Sequence, residues 1–416
     1  MSSQSLIITL GRVRRFGAPE GQGRGNYRTM QYRFSETEVS EPTSFFGLAL
    51  YRHLVSQHTE IDRIVVLGTR GSMWDALLEI DDNALLNDAT NEQLFDSLIN
   101  QAQSENVDDN LLADLSDALT RHFNIPVICR AIPYGQSSGE QIDILRCFRE
   151  ITEGMDSVVL DVTHGLRHLP MMALVSAFLL RNDSRPVQTK GVYYGAAELR
   201  RGEVAPVVKL DGLLSLQEWV EAMAVQKASG NVSRLAEIPG LDRRLADALR
   251  KYQFFEQMNN VTQARKCALE IRDRLSCLPP EGLYFRNELD RMFDWVDGGK
   301  LPIRQCRQAR NAFENGDYMR AVVLLMEAVI SAWVKPGRGD ILNYSVRGAA
   351  KDELDRQGNP NWKLLRNLRN TLAHGGQAEG NLARVIQRMR TEEEFFRAQL
   401  EILFTWAECI VEDERT

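Results

Sequence analysis

In the first half of the chain, apolar residues come in short unbroken runs, and each run ends in a polar or glycine-bearing turn. Leu6 to Leu10, Arg63 to Leu67, Pro126 to Ile132 and Val158 to Leu160 have the continuous hydrophobicity of strands buried on both faces of a parallel sheet. Helical periods fall between them: Ser44 to His53 opens one helix, Met73 to Ile80 a second, and Glu140 to Ile151 and Leu166 to Leu180 two more. Residues 81–124 are acidic and helical in period, with Leu111, Leu112, Leu115 and Leu119 as a stripe expected to cover one sheet face. The Gly/Pro-rich stretch Gly17 to Gly25 and the alternating segment Asn26 to Phe34 read as a hairpin-like excursion. Val187 to Tyr194 and Val204 to Leu210 predict two further strands.

After these the β patterns stop. From Leu213 onward only helices are predicted, over 213–227, 242–256, 260–275, 283–295, 303–314, 318–334, 360–374 and 382–411. The change near residue 215 predicts a multidomain chain, α/β over 1–215 and all-α over 216–416.

Composition narrows the class. A 416-residue chain has room for two or three domains, and 44% hydrophobic with 26% charged residues is ordinary for a globular protein. The net charge of -7 confines any nucleic-acid contact to a local basic site. The start, Met1-Ser2-Ser3-Gln4-Ser5, lacks a basic leader with an apolar core, and no apolar run reaches membrane-spanning length, so a cytoplasmic protein without a membrane partner is expected. The six cysteines form no CxxC pair and lie near no histidine, which argues against zinc ligation or a disulfide framework. GxxxxGK[ST], GxGxxG and HExxH are all missing.

The strand-end turns are where chemistry concentrates. Asp161, Thr163 and His164 fall at the carboxyl end of one predicted strand, Gly165 permits close backbone approach, and an apolar helix is expected to start immediately after. Ligands of open α/β sheets sit at such ends, where free helix N-terminal amides hold anions. The same residues would also serve as a plain strand-to-helix turn that caps the helix. Gly68-Thr69-Arg70-Gly71-Ser72 and Pro133-Tyr134-Gly135 close two other strands in the same manner.

In the helical half, Asn359-Pro360 is a helix start and Gly375-Gly376 a stop. Leu365, Leu368 and Leu372 form the core stripe of the helix between them, while Arg366, Asn370 and His374 share another face with Arg369 beside them. Two arginines, an amide and an imidazole suit phosphodiester cleavage without a metal: arginine stabilises the charged transition state and histidine transfers protons near neutral pH. RNA fits as substrate because its 2′-hydroxyl can act as nucleophile. The same residues also make an ordinary C-terminal cap and a solvated face. Arg369 and His374 are five positions apart, about 140° around one helix, so a second copy across a dimer would complete the site.

Both halves resemble one family. Asp161-Val162-Thr163-His164-Gly165 matches the DxTHG signature of CRISPR-associated proteins with an N-terminal CARF domain, and Leu67-Gly68-Thr69-Arg70-Gly71-Ser72-Met73-Trp74 looks like their LGTxxSMW turn. Ile132-Pro133-Tyr134-Gly135 and Pro206 to Leu210 occupy similar places in that pattern. Arg369-Asn370-Thr371-Leu372-Ala373-His374 fits the RxxxxH motif of HEPN ribonucleases, and Tyr318 to Ala328 looks like a preceding helix of that domain.

The resemblance implies a Rossmann-like CARF domain with a mainly parallel sheet over 1–215, then a helical linker and HEPN ribonuclease domain over 216–416. It implies a homodimer, or a higher assembly of dimers, that cuts single-stranded RNA without a metal or required cofactor when a cyclic oligoadenylate binds, cyclic tetra-adenylate being the ring expected. Arg369 and His374 would be catalytic and Asn370 supporting. Gly68, Thr69, Arg70, Gly71, Ser72, Met73, Trp74, Pro133, Tyr134, Gly135, Asp161, Thr163, His164, Gly165 and Arg167 would line the activator pocket. Two rival readings stay open: a ring sensor whose helical half only dimerises, and a ring-cleaving enzyme using Thr69, Ser72, His164 or Arg167. Segment 81–124 fits no motif.

Overall fold

The computed structural model describes residues 3–12, 27–334, 340–376 and 380–412, and the chain divides into two compact units, Met1–Leu214 and Ser215–Thr416. The Gly17 to Gly25 stretch lies outside the described residues.

The first unit is built on a seven-stranded sheet. Its strands are β1 (Gln4–Leu10), β2 (Gln31–Arg33), β3 (Arg63–Gly68), β4 (Val127–Ala131), β5 (Ser157–Asp161), β6 (Gln188–Gly195) and β7 (Val204–Lys209). They run in the order β2-β7-β6-β5-β1-β3-β4, and every pair is parallel except β6 with β7. Continuous apolar runs are needed because both faces are covered. Leu6, Ile8, Ile64, Val66 and Val159 pack on one face against Phe46, Leu50, Leu98, Leu112 and Leu115. Ile7, Val65, Leu67, Val158 and Leu160 pack on the other against Ile144, Phe148, Leu169, Ala173 and Ala177. The acidic segment does form two helices, Ala89–Gln103 and Asp109–Phe123, on the first face.

Three expectations for this unit need correction. Of the described residues 27–34 only Gln31–Arg33 is strand, and it pairs with β7 at the far edge rather than with β1; Tyr32 there is buried rather than exposed. Instead of one helix over Met73–Ile80 there is a 3-10 turn, Trp74–Leu77, and a single α turn, Ile80–Asn83, with Asp81 and Asn83 at φ 53° and 64°. The helix expected from Leu166 begins at Leu169, because Pro170 belongs in its first turn and residues 163–168 are needed for the turn before it.

The second unit is all helix around Trp219, Tyr252, Phe293, Phe313, Trp362 and Phe404. Helices Leu301–Glu314 and Tyr318–Trp333 pack against each other across a tight turn with Gly316 at φ 76°. The helix Tyr344–Gln357 was not foreseen, since it buries only Ala350 and Leu354 and so shows no apolar stripe. The 382–411 segment is two helices, Ala383–Thr391 and Glu393–Glu412, broken where Glu392 turns extended at φ -128° and ψ 104°. Residues 283–295 hold only a short helix, Arg286–Met292, followed by a 3-10 turn.

Candidate functional site

Parallel pairing brings the carboxyl ends of β1, β3, β4 and β5 to one edge of the sheet, and the turns there are tied to one another. After β3, the Ser72 hydroxyl accepts the Thr69 N–H (2.9 Å) and donates to the Leu10 carbonyl (3.0 Å) at the end of β1. The Met73 N–H donates to the Gly11 carbonyl (2.9 Å), and the Trp74 indole donates to the Thr69 carbonyl (2.9 Å). Thr69, Ser72, Met73 and Trp74 are all buried, so in this arrangement they shape the turn from beneath. Gly68 leaves room for Trp74: a Cβ there would lie 2.9 Å from the indole.

Arg70 is half-buried, bonded to the Val107 carbonyl and paired with Asp109 at 3.1 Å. A Cβ on Gly71 would meet the Tyr134 hydroxyl at 2.8 Å, which brings the 68–74 turn against the turn after β4. There Pro133 and Tyr134 are half-buried, and Gly135 has φ 73°. The His168 ring donates from Nε2 to the Tyr134 carbonyl (2.8 Å), close enough that a Cβ on Gly135 would also strike it.

The β5 turn is wound most tightly. Asp161 is buried, and Thr163 accepts the Gly195 N–H on its hydroxyl (2.8 Å). Gly165 has φ 117°, a conformation costly for any side chain. Gly11 runs beside it so closely that a Cβ on Gly11 would stand 2.4 Å from the Gly165 nitrogen. The Thr9 hydroxyl donates to the carbonyls of Asp161 (3.2 Å) and His164, fastening this turn to β1. The His164 ring stacks on Phe45 (5.3 Å, 11°), leans on Tyr27 (4.5 Å) and accepts the Phe46 N–H at Nε2 (3.4 Å). Although the residue keeps some exposed surface, this packing pushes its imidazole down to about 4, the neutral form. Arg167 is exposed.

Sequence reasoning named the strand-end turns but not the residues that join them. Thr9, Gly11 and His168 hold the edge together; Gly11 had a signal, a glycine closing an apolar strand, whereas the reach of His168 to Tyr134 had none.

In the second unit the helix Pro360–His374 has the limits its sequence predicts, capped by the Asn359 side chain on the Asn361 N–H (2.9 Å) and ended by Gly375 at φ 64°. Leu365 and Leu368 are fully buried, while Leu372 is half-buried. The two arginines differ in state. Arg366 is held at 2.6 Å by Asp355, which also accepts the Trp362 indole N–H (2.6 Å). Arg369 donates to the Asn370 side-chain oxygen (3.1 Å), and both Asn370 and His374 are exposed. Arg390 donates to the Gly376 carbonyl (2.8 Å), fixing the chain just past His374. Among the described residues no three His, Cys, Asp or Glu side chains are grouped to hold a metal ion, and no helix is long and apolar enough to cross a membrane.

Residues 5–198, the span holding all of the strand-end turns, match the family model for the CARF domain of the CRISPR system endoribonuclease Csx1. The first unit is a CARF domain. The CRISPR-associated protein MJ1674 of Methanocaldococcus jannaschii is 24% identical over 389 residues, 84% of this chain and 59% of its own length, so the chain spans about three fifths of that relative. Both matches make the chain similar to CRISPR-associated, CARF-containing proteins. The CARF match ends before the second unit begins, so the RxxxxH helix stands on its own geometry.

Proposed function

We propose that this protein is a cyclic-oligoadenylate-activated endoribonuclease of type III CRISPR defence, needing no metal and acting on single-stranded RNA as a homodimer or an assembly of dimers. The observation that carries the reading is the state of the RxxxxH helix end in a chain with a CARF domain. Arg369 and Asn370 are bonded to each other, and Asn370 and His374 are open to solvent, while the neighbouring Arg366 is committed to Asp355.

These groups supply the parts of a transesterification. An imidazole at His374 takes the proton of a ribose 2′-hydroxyl as its oxygen bonds to phosphorus. The 5′-oxygen leaves and is protonated by an imidazolium, which yields a 2′,3′-cyclic phosphate. Arg369, oriented by Asn370, faces the charge that builds on the non-bridging oxygens. Because Arg369 and His374 sit about 140° apart on one helix, the acid-base and charge-stabilising roles come together when two copies meet. An exposed apolar row on the CARF helix Leu169–Arg181, comprising Met171, Val175, Phe178 and Leu179, supports a second copy as its cover.

Cleavage of the ring by Thr69, Ser72 or His164 is disfavoured by their surroundings. The two hydroxyls lie 3.2 Å from each other, Ser72 also donates to Leu10, and the His164 Nε2 already accepts a backbone N–H. The deciding experiment is RNA cleavage with each ring size in EDTA, for the wild type and His374→Ala. Cleavage that persists in EDTA and vanishes in the variant is expected. Loss in EDTA with rescue by a divalent ion rejects metal independence, and a variant that cuts at the wild-type rate rejects the site.

A further inference from the structure

The acidic segment between β3 and β4 returns to the strand-end site at one residue. Glu105 lies between the helices Ala89–Gln103 and Asp109–Phe123, at φ 55°. The loop around it is stitched to the 68–74 turn: the Val107 N–H donates to the Arg70 carbonyl (3.3 Å), and Arg70 returns a bond to the Val107 carbonyl and pairs with Asp109. So placed, the Glu105 carboxylate accepts from two donors, one per oxygen: the Arg12 guanidinium (3.1 Å) and the Tyr134 hydroxyl (3.0 Å). Gly71 leaves the space, since a Cβ there would lie 2.8 Å from the Tyr134 oxygen and 3.0 Å from the Glu105 Cγ. The Arg12 and Glu105 side chains keep 37% and 50% of their surface exposed, so a ligand can reach them.

A guanidinium and a phenol each giving one hydrogen bond to an anion with two oxygens is also what the two non-bridging oxygens of a phosphodiester accept. We infer that Arg12 and Tyr134 form a phosphate subsite of the CARF domain, and that Glu105 fills it as a resident anion until a phosphodiester of the activator displaces the carboxylate. This rests on the activator reading above and adds regulation to it: Glu105 sets a threshold by competing with the ring for Arg12. It also gives the 81–124 segment a task, which is to carry that carboxylate.

The test is binding of cyclic oligoadenylates, cyclic tetra-adenylate first and the other ring sizes beside it, to the full chain by calorimetry. Glu105→Gln removes the competing charge at almost constant shape and should tighten binding several-fold. Glu105→Ala, which removes both bonds, should move affinity the same way. Asp114→Asn changes net charge equally from an exposed position on the next helix and should have little effect. Arg12→Ala should weaken binding, and in the Arg12→Ala background Glu105→Gln should lose most of its gain, since the two act through one contact. Unchanged or weaker binding by both Glu105 variants, in a protein whose wild type binds a ring, overturns the resident-anion role alone. A wild type that binds no ring of any size overturns the activator reading and this subsite with it.

Discussion

Asp161 accepts the Thr163 backbone N–H on one carboxyl oxygen, 2.8 Å away, and buries the other oxygen without a partner among the described residues. Burial raises this carboxyl from 3.8 to about 7, with the bonds to Thr163 holding the rise back. An acid raised in the folded state keeps a proton that the unfolded chain has shed, so between about 4 and 7 it makes stability fall as pH rises. His164, lowered by burial from 6.5 to about 4, has the opposite sign: its contribution is complete above 6.5 and is lost as pH falls toward 4. One whole proton corresponds to roughly 1.4 kcal/mol per pH unit. Asp161→Asn should therefore gain stability relative to the wild type as pH rises from 4 to 7, and hold that gain above 7. Thermal melts of both proteins across pH 4 to 8 check this, and a constant difference between them would show that Asp161 is ionised throughout.

Gly11→Ala tests the contact that joins β1 to the β5 turn. A Cβ at 2.4 Å from the Gly165 nitrogen and 2.8 Å from its Cα meets backbone, which has no rotamer to yield. A loss of about 1–3 kcal/mol, the usual size of overpacking, is expected, together with weaker ring binding. Gly139→Ala in the same unit is the comparison. Its Cβ would meet nothing nearer than the Ser137 Oγ at 3.8 Å, and removing a glycine from a helix should leave stability equal or slightly higher. Equal melting temperatures for the Gly11 variant and the wild type would mean the two turns are not in contact.

What the sequence made legible follows from where each signal resides. β1, β3, β4 and β5 announce themselves because a strand covered on both faces must be apolar at consecutive positions, and the Pro360–His374 helix because Asn359, Pro360 and Gly375 are local signals at its own ends. The helix Tyr344–Gln357 stayed hidden because two buried residues make no stripe. At the sites, residue types and turns were readable, but commitments made through space were not. No spacing rule links Asp355 to Arg366 rather than Arg369, or sends Glu105 to Tyr134.

That unequal commitment of the arginines has a consequence for mutants. Arg366→Ala leaves Asp355 without its ion pair, so it should lower the stability of the helical unit by about 1 kcal/mol. Arg369→Ala removes a group whose only bond among the described residues is to its exposed neighbour Asn370, and should leave unfolding unchanged while abolishing RNA cleavage. Denaturant unfolding and a cleavage assay on both variants separate the roles. If Arg366→Ala is the one that loses cleavage at unchanged stability, the catalytic arginine has been misassigned.

Stoichiometry tests the dimer. If two CARF domains share one activator about a two-fold axis, calorimetric titration should saturate at one ring per two chains. Charged substitution in the exposed apolar row, Val175→Glu, should reduce both dimer mass and ring binding. Saturation at one ring per chain contradicts a shared pocket.

Coupling between the two units is the remaining expectation. An activator works only by binding the active arrangement more tightly than the idle one, so ring binding and RNA cleavage should be separable by mutation yet linked in the wild type. His374→Ala removes an exposed imidazole from the second unit, and should abolish cleavage while leaving ring affinity nearly intact. Arg167→Glu reverses an exposed charge in the CARF turn that follows β5, and should weaken ring binding, with cleavage partly restored at saturating activator because the cleaving residues are untouched. It is a cleaner probe than Gly165→Val, where φ 117° and Leu169 at 3.0 Å from the new Cβ would strain the turn itself. Cleavage rate against activator concentration distinguishes the two classes: a shifted curve for Arg167→Glu and a flat one for His374→Ala. An Arg167→Glu protein that binds the ring normally but does not cut, or a His374→Ala protein that still cuts, would show that sensing and cleavage are not divided between the units in this way.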